Sequence, residues 1–457
     1  MPKAKPKPKA NSARRGKARV PTRAELRRIV ERGKAWIVTE QEFVDRLHSG
    51  KRLRLKMGFD PTVPVITLGW AVGLRKLRQL QNLGHTVVII IGDWTARIGD
   101  PSGQSQTRKM LSTRRVRANA RTILDQFNKI LDRRRTEVRW QREWFDNFKL
   151  TKLATLASHV TVSKMLARDD FRSRFQGERP IQLQEFIYPL LQAYDSVAVS
   201  ADVEFGGTDQ EFNILLGREL QPKYGQPPQC AFLMPLLVGL DGKQKMSQSL
   251  GNFIAIDDPP NEMYGKIMSL PDSVMVEYFE LLTDIPDQQL RHIGNAIALR
   301  SENPMGIKKR LAREIVTQFH NKSLALTAER EFELLFGKRA RSRSAAVRRR
   351  LPMGTVDVAV SFKGRHTKLE ALPLILRRSG VVSSTSEARR LINEGAVKEV
   401  GTVGARGRYV ARHTPKAVRS SRVSVSPGTM FRVGKRRFLR IVDLPAGGHG
   451  SDKHQQS

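Results

Sequence analysis

Leu53-Arg54-Leu55-Lys56-Met57-Gly58-Phe59-Asp60-Pro61-Thr62 is the stretch from which the fold can be read. Leu53 to Phe59 has the composition of a strand, and it runs into an Asp-Pro-Thr turn because Pro61 has no N–H to extend a ladder. Trp70 to Leu83 then carries apolar residues at helical spacing and Gly84 stops it. Thr86 to Gly92 follows as an unbroken Val/Ile run, the pattern of a strand covered on both faces of a parallel sheet. Strand, helix and strand in that order begin a nucleotide-binding α/β domain.

Working outward, Arg23 to Ile37 reads as a short basic helix, and Ser112 to Leu191 as mostly helical. Val203 to Gly206 and Phe232 to Leu237 read as short strands, the second ending at the Gly239-Leu240-Asp241-Gly242 turn. Helices dominate to Phe336. Lys338 to Arg350 is nearly all Arg, Lys, Ser and Ala, which cannot bury a core. Beyond it, Leu369 to Ser379 and Ser384 to Glu394 look helical, and alternating strands end near Val442. A chain of 457 residues exceeds what one core organises. The expected order is a basic, disordered arm (1–23), a Rossmann-like parallel-sheet domain (24–250), a helical domain (251–337), a basic linker (338–368), a small α+β domain (369–444) and a flexible polar tail (445–457).

The formal charge of +37 needs an anionic partner or a strongly repelling surface, and RNA, whether tRNA or another structured RNA, is the leading partner. No apolar run approaches the length of a membrane span, so no membrane partner is expected. Cys230 is the one cysteine, which excludes an intramolecular disulfide and a cysteine zinc cluster and fits a reducing compartment. No metal-ligand set is read from the sequence. Met1 to Arg23 has no apolar core and is not a secretory signal. It suits an arm lying on RNA, with the chain in the cytoplasm, or an organellar transit peptide, although Pro2, Pro6 and Pro8 disfavour the amphipathic helix the latter prefers.

Lys56-Met57-Gly58-Phe59-Asp60-Pro61-Thr62 and the run from Ile91-Gly92-Asp93 to Asp100-Pro101-Ser102-Gly103 are two of several ordered motifs. Tyr188-Pro189-Leu190-Leu191-Gln192-Ala193-Tyr194-Asp195, Gly206-Gly207-Thr208-Asp209-Gln210 and Lys245-Met246-Ser247-Gln248-Ser249 follow in turn. The set resembles the tyrosyl-tRNA synthetases over nearly the whole chain, from about Arg23 to Val442. The resemblance implies that Asp195 takes the phenolic hydroxyl of L-tyrosine. Asp100, Tyr188 and Gln192 would surround its ammonium, and Gln210 would lie near its carboxylate. Tyr188, Gln192 and Asp195 stand four and three apart, so one helix face can present all three. Asp60, Gly69, Asp209 and Lys245 would lie with ATP, accompanied by Mg2+ as part of the substrate, and Thr62 would reach the γ-phosphate.

Two motifs depart from the family. Its His-x-Gly-His tetrad corresponds to Thr67-Leu68-Gly69-Trp70 here, and its Lys-Met-Ser-Lys-Ser loop ends in Gln248-Ser249 rather than Lys-Ser. Thr67, Trp70 and Gln248 thus stand with Lys245 and Thr62 at positions that stabilise charge on the phosphates, and three of these five have lost the expected group. The C-terminal module resembles the small RNA-binding domain named for the fourth small-subunit ribosomal protein. Arg389, Arg390, Lys435, Arg436 and Arg437 supply its phosphate-facing charge. Three readings stay open at this level: a tyrosine–tRNA ligase with a weakened ATP step, a catalytically lapsed relative that binds RNA, and a tyrosine-responsive RNA binder. Family analogy adds a homodimer formed through the catalytic domain, with tRNA for tyrosine as partner.

Overall fold

The structure, a computed structural model, describes residues 17–100, 111–336, 348–349, 355–362, 367–382, 384–403, 409–434 and 437–443. The chain divides into two compact units. The first runs to Asp257 and includes Leu270–Ser301, and the second combines Asp258–Ser269 with residues from Glu302 onward. The expected 251–337 helical stretch is therefore shared between them, with the Met275–Leu282 and Asp287–Ala298 helices in the first unit.

The first unit is built on a six-stranded sheet. Its strands are β1 (Trp36–Val38), β2 (Arg54–Phe59), β3 (Thr86–Ile91), β4 (Thr136–Trp140), β5 (Val203–Gly207) and β6 (Cys230–Met234). Their order is β1-β6-β5-β2-β3-β4. All neighbours are parallel except β1, which runs antiparallel to β6. The chain winds from β2 through β3 to β4 in one direction and from β5 to β6 in the other. A switch point therefore lies between β2 and β5, where an open α/β sheet leaves a crevice at its carboxyl ends. The Val/Ile run is the buried centre: Val87 to Ile91 are at most 1% exposed. The crossover helix spans Leu68–Asn82, and Gly73 lets it lie close to the sheet, since a Cβ there would sit 2.8 Å from Met57 Cε.

The parallel α/β architecture expected from sequence is the one observed. Three local expectations are corrected. The N-terminal helix stops at Glu31, and residues 36–38 form β1 rather than continuing it, because the chain turns at Gly33 with φ +67°. The mostly helical stretch from Ser112 hides β4, whose polar Thr-Glu-Val-Arg-Trp sits at the half-exposed sheet edge and shows no apolar run. The helix expected from Leu369 begins at Leu372, the preceding residues being a strand.

In the second unit, helices Pro260–Met268, Pro304–Phe319 and Lys322–Phe336 pack together, with Tyr264 and Phe332 rings 5.6 Å apart. A further sheet follows, ordered β7-β11-β10-β13-β14-β8. Here β7 is Arg348–Arg349, β8 Val356–Val360, β10 Val397–Val403, β11 Tyr409–Ala417, β13 Thr429–Val433 and β14 Arg437–Asp443. β9 (Lys368–Ala371) and β12 (Arg422–Val425) pair separately. Val358, Val360 and Phe362 are buried with Leu372, Leu376 and Ile392. Part of the stretch read as linker thus supplies a strand and core residues, its Val-Asp-Val-Ala-Val alternation outweighing the basic surroundings. Residues 338–347, 350–354 and 363–366 of that linker, the arm as far as residue 16 and the tail from residue 444 lie outside the described residues.

Candidate active site

A cavity of about 320 Å3 opens at the carboxyl ends of β2 and β5. Its lining includes every residue singled out in the first unit: Asp60, Thr62, Thr67, Gly69, Trp70, Asp100, Tyr188, Gln192, Asp195, Asp209, Gln210, Lys245 and Gln248. These come from five separate segments, brought together by the strand ends, the start of the Leu68–Asn82 helix and the inward face of the Ile187–Val199 helix.

At one end, Asp195 is 2% exposed. Its Oδ2 accepts a hydrogen bond from Gln141 Nε2 at 2.8 Å, and its Oδ1 one from Trp144 Nε1 at 3.0 Å. Burial pushes its carboxyl up to about 7, while the positive charge of Lys56 and these two donors act in the opposite direction. Lys56 is fully buried and donates to Gln192 O, Ser196 Oγ and Glu204 Oε1 at 2.9, 2.8 and 2.9 Å. It therefore binds two successive turns of the helix that carries Gln192 and Asp195.

Tyr188 donates its hydroxyl to Asp60 Oδ2 at 3.0 Å, and Thr95 Oγ1 lies 2.6 Å from Asp60 Oδ1. Burial first, then the neighbouring Asp100 and Asp60 charges, hold the Tyr188 phenol well above its ordinary value. Gln210 Nε2 donates to Asp100 Oδ2 at 2.9 Å. Asn213 Nδ2 donates to the side-chain Oε1 of both Gln192 and Gln210 at 3.0 Å, and Asn213 Oδ1 accepts from Arg168 Nη1 at 3.1 Å. Arg168 also faces Asp100 at 3.5 Å and Asp170 at 2.7 Å. This network fixes which way each amide points.

At the other end, Thr67 stands at the helix N-cap without a side-chain capping bond. Trp70 packs edge-on to Phe59, centroids 4.6 Å apart. A Cβ on Gly69 would meet Thr67 Oγ1 at 3.4 Å and Met246 Cβ at 3.7 Å, so the bare glycine keeps the floor open. Lys245 Nζ is paired with Asp209 Oδ2 at 2.9 Å. Gln248 Nε2 donates to the carbonyl of Val65 and ties its loop to the segment leading into the Leu68–Asn82 helix. Among the described residues lining the cavity, five carboxylates (Asp60, Asp100, Asp195, Glu204 and Asp209) face one cation, Lys245.

Sequence reasoning missed Gln141, Trp144, Lys56, Glu204, Arg168 and Asn213. Lys56 carried a signal, a cation in the middle of the otherwise apolar Leu55 to Phe59 part of its strand. Gln141 and Trp144 carried none, because they follow the strand that was itself missed. In the second unit, Arg389 and Arg390 are exposed on the Thr385–Asn393 helix, with Arg390 3.2 Å from Glu394. Arg437 donates to the Val381 carbonyl, while Lys435 and Arg436 lie outside the described residues.

A crevice at the switch point of a parallel sheet, closed by a Lys-Met-Ser loop, is the arrangement of a class I tRNA synthetase, and residues 48–337 match the family described as tRNA synthetases class I (W and Y). Tyrosine–tRNA ligases of Dehalococcoides mccartyi and Moorella thermoacetica are 47% and 46% identical to it. They align with 92% and 91% of this chain and with 98% and 95% of their own length. The chain belongs to the tyrosyl-tRNA synthetase family. Two solved structures share its fold. The C-terminally truncated Aspergillus nidulans mitochondrial tyrosyl-tRNA synthetase matches with TM-score 0.57 at 22% identity, over 68% of this chain and 94% of its own. The Archaeoglobus fulgidus tyrosyl-tRNA synthetase complexed with L-tyrosine matches with TM-score 0.54 at 23% identity, over 66% and 99%.

Proposed function

We propose that the chain is a tyrosine–tRNA ligase whose amino-acid cavity is intact and whose ATP step is slow. The observation that carries this is the single helix face on which Tyr188, Gln192 and Asp195 enter the cavity beside Asp100 and Gln210. Asp195 would accept the hydroxyl of L-tyrosine, with Gln141 and Trp144 holding its carboxylate in line. Asp100, Tyr188 and Gln192 would hold the ammonium, and Gln210 would lie near the carboxylate. A cavity whose described lining carries five carboxylates, three of them facing Lys56, Arg168 and Lys245, still suits a ligand that brings a positive charge.

The same balance is a poor match to a triphosphate. Lys245 is engaged by Asp209, and Gln248 spends its amide on Val65. Asp60 and Asp209 accept bonds from protein donors, so neither is a bare ligand for the Mg2+ that accompanies ATP. The described residues of the cavity therefore fit tyrosine better than ATP and its Mg2+. Thr62, Thr67 and Gly69 remain as neutral contacts along the nucleotide end. Adenylate formation and transfer to tRNA for tyrosine would proceed with weaker charge stabilisation on the phosphates.

The engagement of Lys245 and Gln248 also favours a second reading, a catalytically lapsed relative retained for binding tRNA or another structured RNA. Tyrosine-dependent ATP–pyrophosphate exchange separates the two: slow but measurable turnover supports the ligase, and none supports the second. RNA contact is assigned to the small C-terminal domain through Arg389 and Arg390, and the site of action to the cytoplasm. No described helix is long and apolar enough to cross a membrane.

A homodimer through the first unit is part of the proposal. Leu150, Val162, Phe175 and Leu183, between β4 and β5, are 79%, 64%, 63% and 79% exposed, apolar side chains that a partner subunit would cover. Sedimentation of the purified chain should give twice the monomer mass, and a monomer at all concentrations would contradict it.

The raised Asp195 carboxyl sets a pH dependence. Its folded value of about 7 exceeds the unfolded one, so the native state retains a proton that the unfolded state loses between about pH 4 and pH 7. Stability from this group therefore falls as pH rises through that window. A tyrosine hydroxyl donated to the carboxylate favours the ionised form and offsets the loss. Saturating tyrosine should thus raise the melting temperature more at about pH 8 than at about pH 6. Equal shifts at both would show that the hydroxyl does not meet Asp195.

A further inference from the structure

The Thr113–Phe127 helix has two unlike faces. Its inner face is fixed to the cavity rim: Val116, Ala120 and Ile123 are fully buried, and Asn119 Nδ2 donates to the carbonyls of Pro61 and Thr62 at 3.0 Å. Gln126 continues the attachment, donating to Pro64 O at 3.1 Å and accepting from Ile66 N at 2.7 Å. Its outer face carries Arg114, Arg115, Arg117 and Arg121, all exposed. None of the four takes part in an ion pair among the described residues, whereas Arg19, Arg27, Lys34 and Arg139 on the same unit's surface each face an acid.

At 3.6 residues per turn, Arg114, Arg117 and Arg121 lie within about 60° of one another and span about 10 Å along the axis. Asp125 is the one acid that continues this stripe. Between Ser112 and Arg135 the chain holds eight Arg and Lys against two Asp, and Arg133 and Arg134 are also exposed. Asp132, the second acid, has its carboxylate on the Arg134 N–H at 2.9 Å, and Lys129 is paired with Asp257. A row of unpaired arginines on a rigidly held helix is preorganised for successive phosphates, because the guanidinium fork matches phosphate oxygens and loses little freedom on binding.

We infer that the outer face of this helix is a second RNA-binding surface, carried by the sheet-bearing unit and acting independently of the small C-terminal domain. It rests on the reading of the chain as an RNA binder and not on the reading of the cavity. The ligand is the phosphate backbone of a structured RNA, recognised by charge and spacing rather than by base sequence.

The experiment is fluorescence anisotropy of the full chain with a labelled tRNA transcript at several salt concentrations. It compares the native protein with Arg114→Gln/Arg117→Gln/Arg121→Gln, Arg389→Gln/Arg390→Gln and Asp125→Arg. The triple variant should bind at least tenfold more weakly at low salt, and the slope of log affinity against log salt should shrink by about two to three, near one unit for each lost phosphate contact. Asp125→Arg should steepen the slope. Melting temperature and the tyrosine-induced melting shift should be unchanged in both, showing that the fold is intact. If the triple variant keeps native affinity and slope while the Arg389/Arg390 variant loses them, this surface is overturned and the C-terminal assignment stands. If neither changes RNA binding, both fail. Binding to phosphatidylserine–phosphatidylcholine vesicles lost in the triple variant, with RNA binding unaltered, would assign the stripe to a membrane surface and overturn the inference.

Discussion

A variant carrying Thr67→His, Trp70→His and Gln248→Lys should catalyse tyrosine-dependent ATP–pyrophosphate exchange about a thousandfold faster than the native chain. One preorganised donor aimed at developing charge contributes about a hundredfold or more to rate. Three groups acting on the same phosphates are not additive, which sets the expectation well below the roughly millionfold product of three separate contributions. The structure gives each change a physical course. Gln248→Lys would replace a neutral amide that now bonds Val65, adding a second cation to a cavity whose described lining holds one. Trp70→His would remove the indole that packs on Phe59 and return donor capacity at the end of the first helical turn. The melting temperature of the variant should stay within a few degrees of native. Exchange no faster than native, in a folded variant, would mean that the defect lies elsewhere than in these three side chains.

Asp195→Asn should lower tyrosine affinity by about a hundredfold and leave tyrosine and phenylalanine bound within about tenfold of one another. Truncating a buried, charged hydrogen-bond partner costs about 2–5 kcal/mol, and each 1.4 kcal/mol is about tenfold. The amide is also a poor replacement on its protein side. Gln141 Nε2 and Trp144 Nε1 both donate to Asp195, so the new NH2 group would face one donor with another. Calorimetric titration with the two amino acids reads the result directly. Retained preference for tyrosine would move recognition of the hydroxyl to another residue.

How much of this was visible beforehand follows from what each element buries. Thr86 to Ile91 could be read as a central strand because nearly every side chain is apolar, and only a strand covered on both faces tolerates that. β4 could not, because an edge strand with half-exposed Arg139 and Glu137 leaves no period to detect. Its loss took Gln141 and Trp144 with it. The candidate residues on motifs were legible as a set, and the cavity gathers them. Their supports were not. Arg168 and Asn213 act by fixing the side chains of neighbours, and such roles depend on distances across the fold rather than on spacing along the chain. The basic face of the Thr113–Phe127 helix was present in the sequence as scattered arginines, and only the helix phase separates them from the buried side.

The central claim is that the amino-acid end of the cavity is intact while the triphosphate end is weakened. Titrating L-tyrosine and, separately, ATP with Mg2+ into the native chain in a calorimeter tests it most directly. Saturable tyrosine binding is expected, with ATP binding at least about tenfold weaker than in the Thr67→His/Trp70→His/Gln248→Lys variant. Native ATP affinity equal to that of the variant, or no tyrosine binding at all, would contradict it.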